Sequence, residues 1–170
     1  FGAMEFSLEC TKNGVQPIIS CNVTINDPNY VESELLLIAE TEEGFQNLSK
    51  LISNSYLINQ KVKLSLEDIS LFSKGIICLT GGYNGFVKNN FINLSETKAG
   101  ISIQELQSIF HDKVYLELQR EKKNLDSPFN DFLINHSINK QIPIVASNEN
   151  YFLSKDYHET HDALLCINQQ

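Results

Sequence analysis

Arginine is almost missing from this 170-residue chain: Arg120 is the only one among 13 basic residues, and the formal net charge is -8. A domain that grips a phosphate backbone by itself carries a basic stripe. Lys61 with Lys63, and Lys122 with Lys123, form only small local pairs. A primary DNA- or RNA-binding surface is therefore not expected. No Cys-x-x-Cys pair occurs among Cys10, Cys21, Cys78 and Cys166, so the cysteines read as buried or half-buried thiols of a cytosolic domain. The longest apolar runs, Leu35 to Ala39 and Ile142 to Ala146, suit strands and fall far short of a membrane span. No charged segment followed by an apolar one marks a signal peptide, and the first residue is Phe1. A cytoplasmic protein read from mid-chain is the expectation. The Asn-x-Ser/Thr triplets at Asn22, Asn47, Asn93 and Asn135 are then chance products of an asparagine-rich chain. Neither a Gly-x-Ser-x-Gly elbow nor a Gly-Lys-Ser/Thr phosphate loop is present. Gly81-Gly82-Tyr83-Asn84-Gly85 reads as a turn leaving a strand.

What is present is ordinary globular material, 42% hydrophobic and 20% charged, enough for one domain with a real core. Residues 2–13 predict a helix with Ala3, Phe6 and Cys10 on one stripe and Gly14 at its C-terminal end. Residues 17–25 are rich in β-branched types and predict a strand, followed by a turn at 26–29. Residues 34–40 predict a second strand, buried on both faces because its apolar centre is continuous. Thr41 then caps a helix whose first turn holds Glu42 and Glu43 and whose apolar face is Phe45, Leu48, Leu51 and Ile52. Ser65 to Asp68 looks like a capping box opening a short helix, and Ser102 to Glu105 another, opening a helix that runs to about His111. Further strands are predicted at 75–80, 113–119 and 142–147, and further helices at 129–138 and 154–167. The last of these places Tyr157, His161, Leu164 and Leu165 on one face. Alternating strands and helices predict an α/β fold with a parallel sheet or barrel. Function in such folds lies at the carboxyl ends of the strands. The stretches to inspect are thus 21–24, Glu40, 81–83, 119–122 and 148–151.

Metal chemistry needs His, Asp, Glu or Cys converging at those ends. His111 and His136 lie near helix ends, where solvation or interaction with the helix dipole accounts for them. His158 and His161 share a helix face beside Glu159 and Asp162, but the spacing is not His-Glu-x-x-His and no third ligand is visible.

Several stretches, in order and spacing, resemble the PHP (polymerase and histidinol phosphatase) domain of bacterial DNA polymerase III alpha subunits. They are Phe1-Gly-Ala-Met-Glu-Phe6, Gln16-Pro-Ile-Ile-Ser-Cys21, Leu35-Leu-Leu-Ile-Ala-Glu-Thr-Glu-Glu-Gly-Phe-Gln-Asn-Leu48, Lys74-Gly-Ile-Ile-Cys-Leu-Thr-Gly-Gly82, Val114-Tyr-Leu-Glu-Leu118, Ile142-Pro-Ile-Val-Ala-Ser-Asn148 and His161-Asp-Ala-Leu-Leu-Cys-Ile167. The resemblance covers the chain nearly end to end. It implies a distorted (β/α)7 barrel, with residues 1–170 a single PHP domain fragment that lacks the N-terminal strands carrying the His-x-His and Thr-Asp-His motifs. In active relatives the barrel mouth holds divalent metals that hydrolyse phosphoesters, in some as a second proofreading exonuclease.

At the family's ligand positions this sequence has other residues. A strand-end glutamate falls on Asn22, a histidine on Glu34, the cysteine of Ser-Gly-Cys on Gly82, and an Asp-x-His pair on Glu149 and Tyr151. Asn22 is a weak neutral ligand, and Tyr151 cannot replace imidazole near neutral pH. Glu34 and Glu149 could hold a stray hard cation, but two carboxylates do not rebuild a cluster. The resemblance thus implies a noncatalytic domain with no cofactor, inside a DNA-directed polymerase. Its partners would be the remainder of the alpha subunit and the proofreading exonuclease subunit, with DNA reached only through the parent polymerase and no membrane involved. The alternatives are an active metal-dependent phosphoesterase or 3′–5′ exonuclease using zinc or manganese, and a freestanding PHP-like protein.

Overall fold

The computed structural model describes residues 2–59, 63–82, 84–119, 128–148 and 150–168. Among them six strands and seven α-helices alternate. Helix α1 (Ala3–Lys12) buries none of its residues and ends where Asn13 and Gly14 turn the chain, Gly14 with φ of 71°. β1 (Ser20–Ile25) starts three residues later than the pattern predicts and pairs antiparallel with β2 (Ser33–Ala39), from Ser20 opposite Ile38 to Ile25 opposite Ser33. Helix α2 (Glu42–Asn59) begins as the sequence predicts: the Thr41 Oγ1 accepts the Gly44 N–H at 3.1 Å. Leu48 and Leu51 are buried, but Phe45 is half exposed and stands off the predicted apolar face.

The short β3 (Lys63–Leu64) was not visible in the sequence and pairs parallel with β1. Helix α3 (Leu66–Ser70) opens on the Ser65/Asp68 capping box, with both reciprocal bonds made. β4 (Ile76–Leu79) pairs antiparallel with β2 and parallel with β5 (Val114–Leu118), and β5 pairs parallel with β6 (Ile144–Ala146). Between β4 and β5 lie α4 (Phe86–Asn93), unanticipated, and α5 (Glu96–Phe110). Helix α5 begins seven residues before the predicted capping box. Its cap is Ser95, whose Oγ accepts the Lys98 N–H at 3.1 Å, while Ser102 is buried mid-helix and donates to the Ala99 carbonyl at 2.7 Å. Helices α6 (Pro128–Lys140) and α7 (His158–Asn168) complete the described chain.

The sheet order is β3-β1-β2-β4-β5-β6. β1 and β4 each run antiparallel to β2, so five strands point one way and β2 alone points back. The sheet is therefore mixed, where the alternation of elements predicted an all-parallel one. The reversal relocates one residue that the sequence singled out. Glu40 follows β2 and so lies at the amino edge of the other strands, where it accepts from Lys113 Nζ at 2.6 Å. Glu34, at the start of β2, lies at their carboxyl edge instead.

The core fills the space between the sheet and the helices. Val23, Leu35, Leu37, Cys78 and Leu116 from the strands meet Leu51, Ile69, Phe86, Ile103, Leu106 and Leu133 from the helices. In β2, Leu35 and Leu37 are fully buried while Leu36 and Ile38 are half-buried, so only one of its two apolar faces is sealed. Asn90 on α4 is buried and satisfied on both sides. Its Nδ2 donates to the Phe86 carbonyl at 2.8 Å, and its Oδ1 accepts the Val31 N–H at 3.1 Å. That second bond fixes the segment leading into β2, and hence the place of Glu34.

Candidate functional site

The middle of β1, the start of β2 and the carboxyl edge of β4, β5 and β6 enclose a cleft of about 240 Å³. Its floor is built by the turn after β4. The Gly85 N–H donates to the Gly82 carbonyl at 3.1 Å, the Glu34 N–H donates to the Asn84 carbonyl at 3.1 Å, and Glu34 and Gly85 form a parallel bridge. Glycine is required at position 85, because a Cβ there would lie 1.8 Å from the Gly81 carbonyl oxygen. Gly81-Gly82 is thus the strand-leaving turn the sequence indicated.

Three of the five family-position residues named from the sequence line this cleft: Asn22 from β1, Glu34 from β2 and Gly82 from the turn. Glu149 lies outside the described residues. Tyr151 is elsewhere: its ring lies 5.1 Å from that of His161, beside Phe152, in a separate apolar hollow of about 250 Å³ that Tyr157 and Leu164 also line. Of the other stretches marked for inspection, Gln119 and Asn148 line the cleft, and Tyr83 and residues 120–122 lie outside the described residues. Cys21 neighbours the cleft lining, its thiol hydrogen-bonded to the Asn22 carbonyl at 3.3 Å and pushed above the ordinary cysteine range by burial.

The residue that sequence reasoning passed over is Glu117. It stands in β5 between Leu116 and Leu118 and is 6% exposed, although it is a carboxylate. Its backbone N–H donates to Thr80 Oγ1 at 2.9 Å. Its Oε1 accepts a short hydrogen bond from Ser147 Oγ, and that oxygen in turn accepts from Gln119 Nε2 at 3.1 Å. Oε2 is buried and has no hydrogen-bond partner among the described residues. The carboxylate also raises the thiol pKa of the buried Cys78, after the larger effect of desolvation. One acid set in an otherwise apolar strand was the signal available in the sequence.

Gly82 and Gln119 share one space. A Cβ on Gly82 would fall 2.0 Å from Gln119 Nε2, so the Gln119 carboxamide fills the volume that a side chain at position 82 would take. His111 closes α5 with an N–H to the Gln107 carbonyl, and His136 packs its ring 4.2 Å from Phe132. His158 and His161 lie against Phe152. No group of three or more His, Cys, Asp or Glu that could hold a metal ion occurs among the described residues. No helix among them is long and apolar enough to cross a membrane.

A family model described as the PHP domain matches residues 1–121. Among curated proteins, the chain is 33% identical to the DNA polymerase III subunit alpha of Caulobacter vibrioides and 34% identical to that of Rickettsia bellii. It is 27% identical to that of Borreliella burgdorferi. Each match covers 98% of this chain but only 14% to 16% of the relative, so the chain spans about one sixth of the length of these relatives.

Proposed function

The chain belongs to the PHP domain family, and on that premise we propose that it serves as a noncatalytic PHP domain of a bacterial DNA polymerase III alpha subunit. In this reading residues 1–170 are a single PHP domain fragment that lacks the strands carrying the family's His-x-His and Thr-Asp-His motifs. It supports the polymerase core during chromosomal replication and docks the proofreading exonuclease subunit. The observation that carries the reading is the donor set of the cleft. Catalytic divalent metals need several convergent anionic or imidazole ligands with a position left open for water. Here Asn22 offers a neutral amide, and Gly82 offers no side chain and has its space filled by the Gln119 carboxamide. One oxygen of Glu117 is already engaged by Ser147. These residues do not fit a metal cluster. DNA enters this account only through the rest of the polymerase, in keeping with a net charge of -8.

The presence of two carboxylates, Glu34 and Glu117, in one cleft favours a second reading, an active zinc- or manganese-dependent phosphoesterase or 3′–5′ exonuclease. Docking is tested by sedimentation of the chain mixed with the proofreading exonuclease subunit of the same replicase. A saturable one-to-one complex supports the proposal. Independent sedimentation at concentrations well above micromolar contradicts it.

A further inference from the structure

We propose that the cleft is a binding site for an organic cation, a primary ammonium on a short aliphatic stem, the chemistry shared by a lysine side chain and a free alkylamine. This rests on the reading above, that no metal cluster forms here, and goes beyond it by naming what the cleft takes instead. Charge is the first argument. Glu34 and Glu117 are the ionisable residues of the described lining, and no Lys, Arg or His accompanies them there. Glu117 Oε2, buried and without a partner among the described residues, points the same way. A buried carboxylate oxygen without a donor is costly, and a ligand that brings an N–H relieves that cost.

Geometry then chooses among cations. A calcium ion takes six to eight oxygen ligands and magnesium a near-octahedral set. The described residues supply no group of three His, Cys, Asp or Glu, and Glu117 cannot chelate with both oxygens while Ser147 holds one. A guanidinium pairs best as a flat fork against two free carboxylate oxygens, and Glu117 offers one. An ammonium is a compact donor that satisfies separate acceptors from one point. Glu117 Oε2 and the Glu34 carboxylate are charged acceptors for it, and the Asn22 amide oxygen is a neutral one. Leu36, half-buried on the same face of β2 as Glu34, suits the methylene stem.

The test is NMR titration of the 170-residue chain, carried out once a dispersed amide spectrum and a cooperative urea transition establish that it folds alone, reading the Glu117 side-chain carboxyl carbon and the Gly81 and Gly82 amides. The probes are n-butylammonium chloride, its neutral analogue n-butanol, N-acetyl-lysine methylamide and zinc chloride. Saturable shifts are expected with both amines and none with butanol. Glu34→Gln, an exposed change that leaves the core untouched, is expected to weaken amine binding at least about tenfold, the equivalent of one charge-assisted hydrogen bond. Glu117→Gln is expected to abolish it, with the folded state checked by the dispersion of the same spectra. Tighter binding of the lysine derivative than of butylammonium assigns the site to a polypeptide side chain, and the reverse assigns it to a free amine; either ranking supports the site. Equal shifts with butanol, or no saturable shift with either amine, overturn the proposal and leave the noncatalytic reading intact. Zinc binding more tightly at the same resonances overturns both.

Discussion

Gly82 and Gly85 stand three residues apart in one turn and are expected to tolerate an added methyl differently. At position 85 the methyl meets only backbone at its nearest contacts, the Gly81 carbonyl oxygen at 1.8 Å and the Thr80 carbonyl oxygen at 2.7 Å, which cannot swing aside as a side chain would. Gly85→Ala is expected to cost about 3 kcal/mol or more, read as a lowered urea midpoint. At position 82 the three atoms nearest the methyl all belong to the Gln119 carboxamide, the far end of a flexible side chain. Gly82→Ala is expected to cost about 1 kcal/mol or less, mainly through the lost Gln119–Ser147 hydrogen bond. The thiols make a second residue-scale prediction. Burial, with Glu117 adding to it, raises the Cys78 pKa and deprives the residue of both access and thiolate character. A disulfide reagent at pH 8 is expected to label the exposed Cys166 first and Cys21 more slowly, with Cys78 reacting only on unfolding. Labelling of Cys78 in the native state would contradict the packing of β4. At this scale the family resemblance pointed to Asn22, Glu34 and Gly82, and these three line one cleft. It did not single out Glu117, because a strand acid reads as a solvated face until the partner strand and Ser147 close over it.

Helix α5 shows how a local pattern yields to packing. Ser102 with Glu105 satisfies the capping-box spacing, whereas Ser95 is followed three residues later by Lys98 and looks unremarkable. Burial decides the matter: Ala99, Ile103, Leu106 and Phe110 recur at helical spacing on the face against the core, so the helix extends back to Ser95. Ser95→Ala is expected to lower stability by about 1 kcal/mol, the usual cost of a lost N-cap. Ser102→Ala is expected to be nearly neutral, since it removes only a bond to a carbonyl within its own helix and installs a better helix former. Paired urea titrations separate the two; a larger loss at Ser102 would restore the sequence-based start. The direction of β2 was equally out of reach, because strand periodicity is the same read either way. That direction places Glu34 at the cleft and Glu40 beside Lys113, whose ammonium pKa is raised chiefly by the hydrogen bond it donates to that carboxylate.

At the scale of the molecule, the interior of the sheet is well packed while its two chain-terminal helices are not. Helix α1 leaves Met4 and Leu8 mostly exposed, and the segment leading into α7 leaves Leu153 99% exposed, with Leu164 and Ile167 beyond it. Exposed apolar surface of this kind favours association. Sedimentation velocity of the chain is expected to give a weight-average mass that rises with concentration, and a constant monomer mass would contradict this. The family and the alternation of elements were legible from motif order, and the match over residues 1–121 agrees with that reading. Closure of the sheet into a barrel was implied by the resemblance alone. The described strands run from β3 to β6, and closure stays part of the proposal.

Metal content and cleavage, measured together, decide whether the cleft has lost its metal chemistry. The chain would be equilibrated with zinc in one sample and with manganese in another, and both would be desalted. Each would then be assayed by elemental analysis and with a 3′-labelled single-stranded DNA. The account predicts well under one metal ion per chain and no cleavage above the metal-free control. One or more tightly held ions together with metal-dependent 3′–5′ cleavage would contradict it and make the domain an enzyme in its own right.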